Sequence, residues 1–142
     1  MSIDIRYLAG FIDGEGCIEI HRNKRGKDYF NLRLDITQVY KPVLASIQKD
    51  YGGYLIRSHG PRPNKSSRWY VEWSGEKAKD LIKLVLPYLI VKKKQAKLAM
   101  KFPYVRRGGD PRVRHRYSIE DRKLRKSIYT QMKKLNRGRK KT

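Results

Sequence analysis

Residues Tyr29 to Gln38 read YFNLRLDITQ, with apolar side chains at every second position. Phe30, Leu32, Leu34 and Ile36 point one way, and Asn31, Arg33, Asp35 and Thr37 point the other. A strand of this kind can be buried on one face only. The chain must therefore build a sheet with one packed face and one face left to solvent or to a partner. CIEIHRN, residues 17–23, alternates in the same way, and KRGKD supplies the turn of a hairpin. YLIRSH and RWYVEW read as a second hairpin across the Gly/Pro/Ser-rich GPRPNKSS.

Helices fill the intervals. Ser2 or Asp4 can cap a first helix carrying Ile5, Leu8, Ala9 and Ile12 at helical spacing, ended by Gly14 and Gly16. Pro42 suits the first turn of a second, stopped by Gly52 and Gly53. Ser74 is placed as the cap of a third, interrupted by Pro87; YLIVKKKQAKLAMKF then resumes as helix. PYVRRGGDPRVRHR reads as a basic loop, Ser118 opens a final helix with acids in its first turn, and NRGRKKT is a basic tail. The order helix, hairpin, helix, hairpin, helices gives an α+β fold. One four-stranded antiparallel sheet carries helices on a single face.

The open face then holds Glu19, His21, Asn23, Asn31, Arg33, Asp35, Thr37, Arg68, Tyr70 and Glu72. Arg57 and His59 of the third strand are placed there too, and Arg25 lies in the adjoining turn. This mixture of donors and acceptors suits base edges in a major groove, which admits a β-ribbon. An ordinary solvated sheet face is the alternative. The 142 residues include 35 Lys and Arg against 13 Asp and Glu, a net charge of +22. That excess points to a polyanionic partner, with the lysines at 92–94, the 105–117 loop and the tail set to hold a phosphate backbone. No run approaches the roughly 18 apolar residues of a membrane span, and no signal peptide is visible. The single cysteine, Cys17, excludes an internal disulfide and a Cys-based zinc site. An intracellular setting is expected.

LAGFIDGEG, residues 8–16, is apolar almost all round and ends in two acids. Gly10 and Gly14 share a helical face, where small residues let a second backbone approach. Glycine inside a helix costs about 1 kcal/mol against alanine, so Gly10 needs a reason. Pairing with a second copy of the same helix supplies one. Two copies would bring Asp13 and Glu15 together with their counterparts, and oxygen-rich carboxylate sites suit Mg²⁺ or Ca²⁺. Mg²⁺ held by few carboxylates and substrate phosphates is equipment for phosphodiester hydrolysis. A solvated Asp-Gly-Glu-Gly turn is the alternative in isolation.

LAGFIDGEG resembles the motif of the LAGLIDADG homing endonucleases and their related intron maturases, in the variant with Glu as the last acid. The resemblance runs from Ile3 to Phe102 and includes the order of elements. It implies an endonuclease core over 1–102, with 103–142 appended to the same domain. It implies a saddle-shaped sheet on the major groove of double-stranded DNA. The activity implied is site-specific, intron-encoded cleavage that leaves 3′ overhangs. One motif implies a homodimer, with Leu8, Ala9, Gly10, Ile12 and Asp13 at the interface. Glu15 is implied as catalytic metal ligand and the Gly14 carbonyl as accessory ligand, with Asp13 capping the partner-helix region. The expected ion is Mg²⁺, with Mn²⁺ as substitute and Ca²⁺ as a ligand that need not support cutting. DITQ matches the strand end where a polar residue arranges water, which is Gln38. PYLIVKKKQA matches the segment with the catalytic lysine, which falls on Lys92, with Lys93 or Lys94 as substitutes. A further basic residue frequent in the family falls on Pro42, so Lys41 is the nearest replacement. A maturase acting on RNA, or a non-catalytic DNA-binding regulator, is the alternative on the same scaffold.

Overall fold

The computed structural model describes residues 2–23, 29–58, 68–104 and 117–137. Asp4 caps α1, Ile5–Glu15, by accepting from the Arg6 N–H. The chain passes directly into β1, Gly16–Asn23, and β2, Tyr29–Gln38. Gly16 stands where the chain doubles back on the helix. A Cβ there would lie 2.8 Å from the Ile12 carbonyl oxygen, closer than any side chain tolerates. α2 spans Lys41–Tyr51 with Pro42 in its first turn, β3 spans Tyr54–Ser58 and β4 spans Arg68–Ser74. α3 (Glu76–Val85), a 3-10 turn (Leu86–Tyr88), α4 (Lys93–Met100) and α5 (Ile119–Arg137) complete the chain.

The strands form one antiparallel sheet in the order β1-β2-β4-β3. Ile18, Ile20, Phe30, Leu32, Leu34, Ile36, Val71 and Trp73 are buried beneath the five helices, as half-buried alternation requires. α5 adds Ile128 and Met132 to that same core. It is tied down by Arg125, whose guanidinium donates to the Pro103 and Phe30 carbonyls. Near its other end the Asn136 amide donates to the Ile18 carbonyl of edge strand β1. No helix among the described residues is long and apolar enough to cross a membrane.

Three local expectations are corrected. The cap of α3 is Gly75 at φ 69° rather than Ser74. α4 begins at Lys93, because residues 89–92 form an extended turn held from outside the segment. Strand β3 shows the opposite face to the one expected. Arg57 stands opposite Trp69 and Leu55 opposite Val71, so both lie on the helix side. Tyr54, Ile56 and Ser58, opposite Glu72, Tyr70 and Arg68, are the open-face residues of β3.

Candidate functional site

The acids that close α1 have separate employment. Asp13 turns its carboxylate onto the 89–92 turn, accepting from the Ile90 N–H at 2.8 Å and the Lys92 N–H at 3.0 Å. Lys92 replies with its side chain, whose Nζ donates to the Asp13 main-chain oxygen at 2.7 Å. That oxygen is one of the last carbonyls of the helix, so a cation meets the negative end of the dipole. The lysine is 1 % exposed. This answers why an apolar helix ends on carboxylates: the first of them clamps a turn 77 residues away and holds a buried ammonium against the helix end. Asp13 thus caps a segment of its own chain.

Glu15, by contrast, is exposed, and among the described residues it makes no hydrogen bond or ion pair. Gly14 beside it is exposed too. Gly16 pairs with Ile36, and β2 runs two residues further to Gln38, toward the same end of the sheet as Gly14 and Glu15. Gln38 folds its amide back, and its Oε1 accepts from the Val39 N–H at 2.8 Å. The Lys41 ammonium lies 4.3 Å from the centre of the Trp69 ring, a cation–π contact at that end of the sheet. Gly14, Glu15 and Gln38 therefore lie toward one end of the sheet, and Lys92 lies against Asp13 at the close of α1, whereas Lys93 and Lys94 are exposed on α4.

A carboxylate and a helix-terminal carbonyl, both open to solvent, are hard oxygen donors, and the set fits a Mg²⁺-type ion rather than a soft metal. No group of three His, Cys, Asp or Glu among the described residues could hold a metal by itself. A hard cation held here would need further oxygens beyond these two.

The open face shows its organisation in the strand register. Glu19 stands opposite Arg33; Cys17, Asp35, Glu72 and Tyr54 form the next row; Thr37, Tyr70 and Ile56 form another. Arg33 is central. Its Nη2 contacts Asp35 at 3.4 Å, and its Nε lies 3.0 Å from Glu19 and 3.4 Å from Glu72. Nε meets hydrogen-bond geometry with neither, so charge rather than directed bonding holds it. Burial works against the guanidinium, but Glu19, Glu72 and Asp35 outweigh it and raise its pKa. Burial raises Asp35 above its ordinary value; Arg33 opposes this, and the Glu19 and Glu72 charges add to it. Asn31 has its Oδ1 engaged by the Tyr104 hydroxyl at 2.8 Å, and that hydroxyl accepts from the Leu32 N–H where β4 has left the sheet. Burial pushes the Tyr104 phenol up to about 12, against the opposing effects of that hydrogen bond and of Arg125.

His21, Asn23 and Arg68 are exposed, and Thr37, Tyr70 and Glu72 half-buried, all on the open face. Arg57 is not on it; its guanidinium carbon lies 5.9 Å from the Trp69 ring centre on the helix side. Arg25 and His59 lie outside the described residues. Leu8, Ala9 and Ile12, placed at a subunit interface from sequence, are fully buried in their own protomer's core. The exposed side of α1 is instead Tyr7, Gly10 and Gly14, while Phe11 is half-buried against the core with its ring stacked on that of Tyr7 at 5.9 Å.

The LAGLIDADG endonuclease family model matches residues 8–102. No curated protein matches the chain. Among solved structures, it is similar to the homing endonuclease I-CvuI in complex with the I-CreI target. The two are 22% identical over 92% of this chain and 80% of that one, with a TM-score of 0.67. It is also similar to the archaeal intron-encoded homing endonuclease I-Vdi141I complexed with DNA, at 18% identity over 92% and 82% of the two chains, with a TM-score of 0.70. The meganuclease I-SmaMI bound to DNA is 17% identical over 93% of this chain but 42% of its own, with a TM-score of 0.61. At these identities the likeness is one of fold.

Proposed function

The chain belongs to the LAGLIDADG endonuclease family, and from that membership we propose that it is a site-specific double-strand DNA endonuclease acting as a homodimer. What supports the reading is a hydrogen-bonding sheet face toward one end of which Gly14, Glu15 and Gln38 lie, with Lys92 held at the close of α1, in a chain of net charge +22. The solved structures it resembles include complexes with DNA: I-CvuI was obtained with the I-CreI target in the presence of Mg, the DNA not cleaved, and with its own target in the presence of Ca.

Glu15 and the Gly14 carbonyl would hold a divalent ion, expected to be Mg²⁺. When bound, the ion supplies an activated water and stabilises charge at phosphorus. Gln38, released from Val39, orders water beside the phosphate. Lys92, its Nζ against the α1 carbonyl end, offers its charge to the developing oxyanion. Asp13 keeps that lysine in place. The open face reads bases: Arg33 donates to guanine, and Glu19 and Glu72 accept from amino groups. Two protomers cut the two strands at a stagger, leaving 3′ extensions.

The dimer rests on the outer side of α1. A Cβ at Gly10 or Gly14 would meet nothing within 4 Å, so nothing inside the protomer demands glycine there. Tyr7 is exposed beside them, and Ile90, next to the end of the helix, is 84 % exposed. A second α1 against this face explains both features. The Gly10→Leu protein is therefore expected to keep its helical circular dichroism and lose its dimer, with association weakened at least tenfold. Sedimentation equilibrium measures this, and a dimer of unchanged strength overturns the pairing.

The activity itself is tested on DNA carrying the uninterrupted form of the gene that hosts this reading frame. Cleavage to two discrete products is expected with Mg²⁺ and none with EDTA. Uncut DNA in Mg²⁺, under conditions where the protein binds it, overturns the nuclease reading in favour of a binding protein.

A further inference from the structure

The open face carries one row out of keeping with its charge. Thr37, Tyr70 and Ile56 stand side by side across β2, β4 and β3, and Tyr54 adjoins them in the neighbouring row. Ile56 is 38 % exposed and Tyr54 is 68 % exposed. β3 already packs Leu55 on the helix side, and among the described residues these two side chains have no core to join.

Resting on the reading of this face as a DNA-binding surface, we propose that the Thr37–Tyr70–Ile56 row is a thymine reader. It packs against the 5-methyl groups of T in the major groove. The chemistry narrows the occupant. Asp35 and Glu72 occupy the adjoining row and would repel a phosphate backbone, so what comes close here is a base edge. Of the groups that bases present in the major groove, the thymine methyl is the apolar one. A methyl of threonine, a tyrosine ring and a branched aliphatic chain give a shallow apolar shelf for it. RNA offers no such group: uracil lacks the methyl, and the major groove of an A-form duplex is too narrow for side chains to read. The row thus sets the protein toward DNA over RNA and toward A·T pairs at the positions it covers.

The test uses full-length protein and the tightest-binding duplex selected from a randomised library. Each T in that duplex is replaced singly by deoxyuridine, which removes only the methyl, and Kd is read by fluorescence anisotropy. Kd is expected to rise about fourfold at one or two positions, the factor for losing burial of one methyl group. In the Ile56→Thr protein, which keeps a β-branched residue on the strand, the T-containing duplex is expected to bind more weakly and the uracil effect at those positions to shrink toward nothing. If no deoxyuridine substitution changes Kd, or if Ile56→Thr keeps the full uracil effect, the proposal is overturned while DNA binding stands. If no duplex is selected at all, the reading of the face as a DNA-binding surface falls, and this proposal with it.

Discussion

Purified Glu15→Gln protein is expected to bind its DNA target as tightly as the parent and to leave both strands intact. The substitution removes one negative charge and keeps shape and hydrogen-bonding capacity. Glu15 is exposed at the end of α1, and the described residues give it no structural partner. Folding and the sheet face should therefore be indifferent to it. A hard cation is not indifferent, since an amide oxygen is a poor replacement for a carboxylate. Metal assistance is worth several kcal/mol and each 1.4 kcal/mol is a factor of ten, so single-turnover cleavage should fall by at least about 10³. Gel-shift affinity and melting temperature, measured beside the cleavage rate, separate loss of chemistry from loss of fold. Normal cutting by Glu15→Gln would remove the metal assignment.

The largest effect on stability is expected at Arg125. This side chain is 3 % exposed. Its guanidinium reaches the Pro103 carbonyl at 2.5 Å and also the Phe30 carbonyl. Its central carbon lies 4.1 Å from the ring centre of Tyr117 and 4.3 Å from that of Phe102. The charge is held by backbone dipoles and ring faces, so its removal leaves one buried and one part-buried carbonyl short of a donor. Each such group costs about 1–3 kcal/mol, and the cation–π contacts add about 1–2 kcal/mol. Arg125→Met is expected to lose about 3–5 kcal/mol of unfolding free energy, read from urea denaturation. Arg125→Lys should recover little, because an ammonium cannot span both carbonyls as the planar fork does. A loss below about 1 kcal/mol would mean that α5 is only loosely held to the sheet.

What could be read from sequence, and what could not, follows from the range of each interaction. β2 alternates along its length, and β1 and β4 over residues 16–20 and 71–73, because one sheet face is buried there; the helix ends carry local markers such as Asp4, Pro42 and the Gly52-Gly53 pair. β3 was legible as a strand but not by face. Tyr54, Leu55 and Ile56 are apolar on both parities, so only pairing with β4 across the hairpin decides the matter. The first helix had a similar ambiguity. It is apolar nearly all round, and periodicity did not tell that Leu8, Ala9 and Ile12 face inward while Tyr7, Gly10 and Gly14 face out. The early start expected for α4 has a long-range cause. The 89–92 turn is pinned by Asp13, and no residue near Lys92 signals a partner so distant in sequence. The resemblance singled out the acids and the lysine. The clamp that joins Asp13 to Lys92 was not legible, because it depends on two segments meeting in space.

That clamp makes one lever of two parts otherwise distant in the chain. α1 carries the surface through which two protomers would meet, and its final carbonyl turn seats the buried ammonium of Lys92. A slip or tilt of one protomer's helix against the other would therefore drag the cation with it. Hydrolytic competence would then report on how squarely the two halves are mated, so that a poorly seated pair could hold a duplex without nicking it.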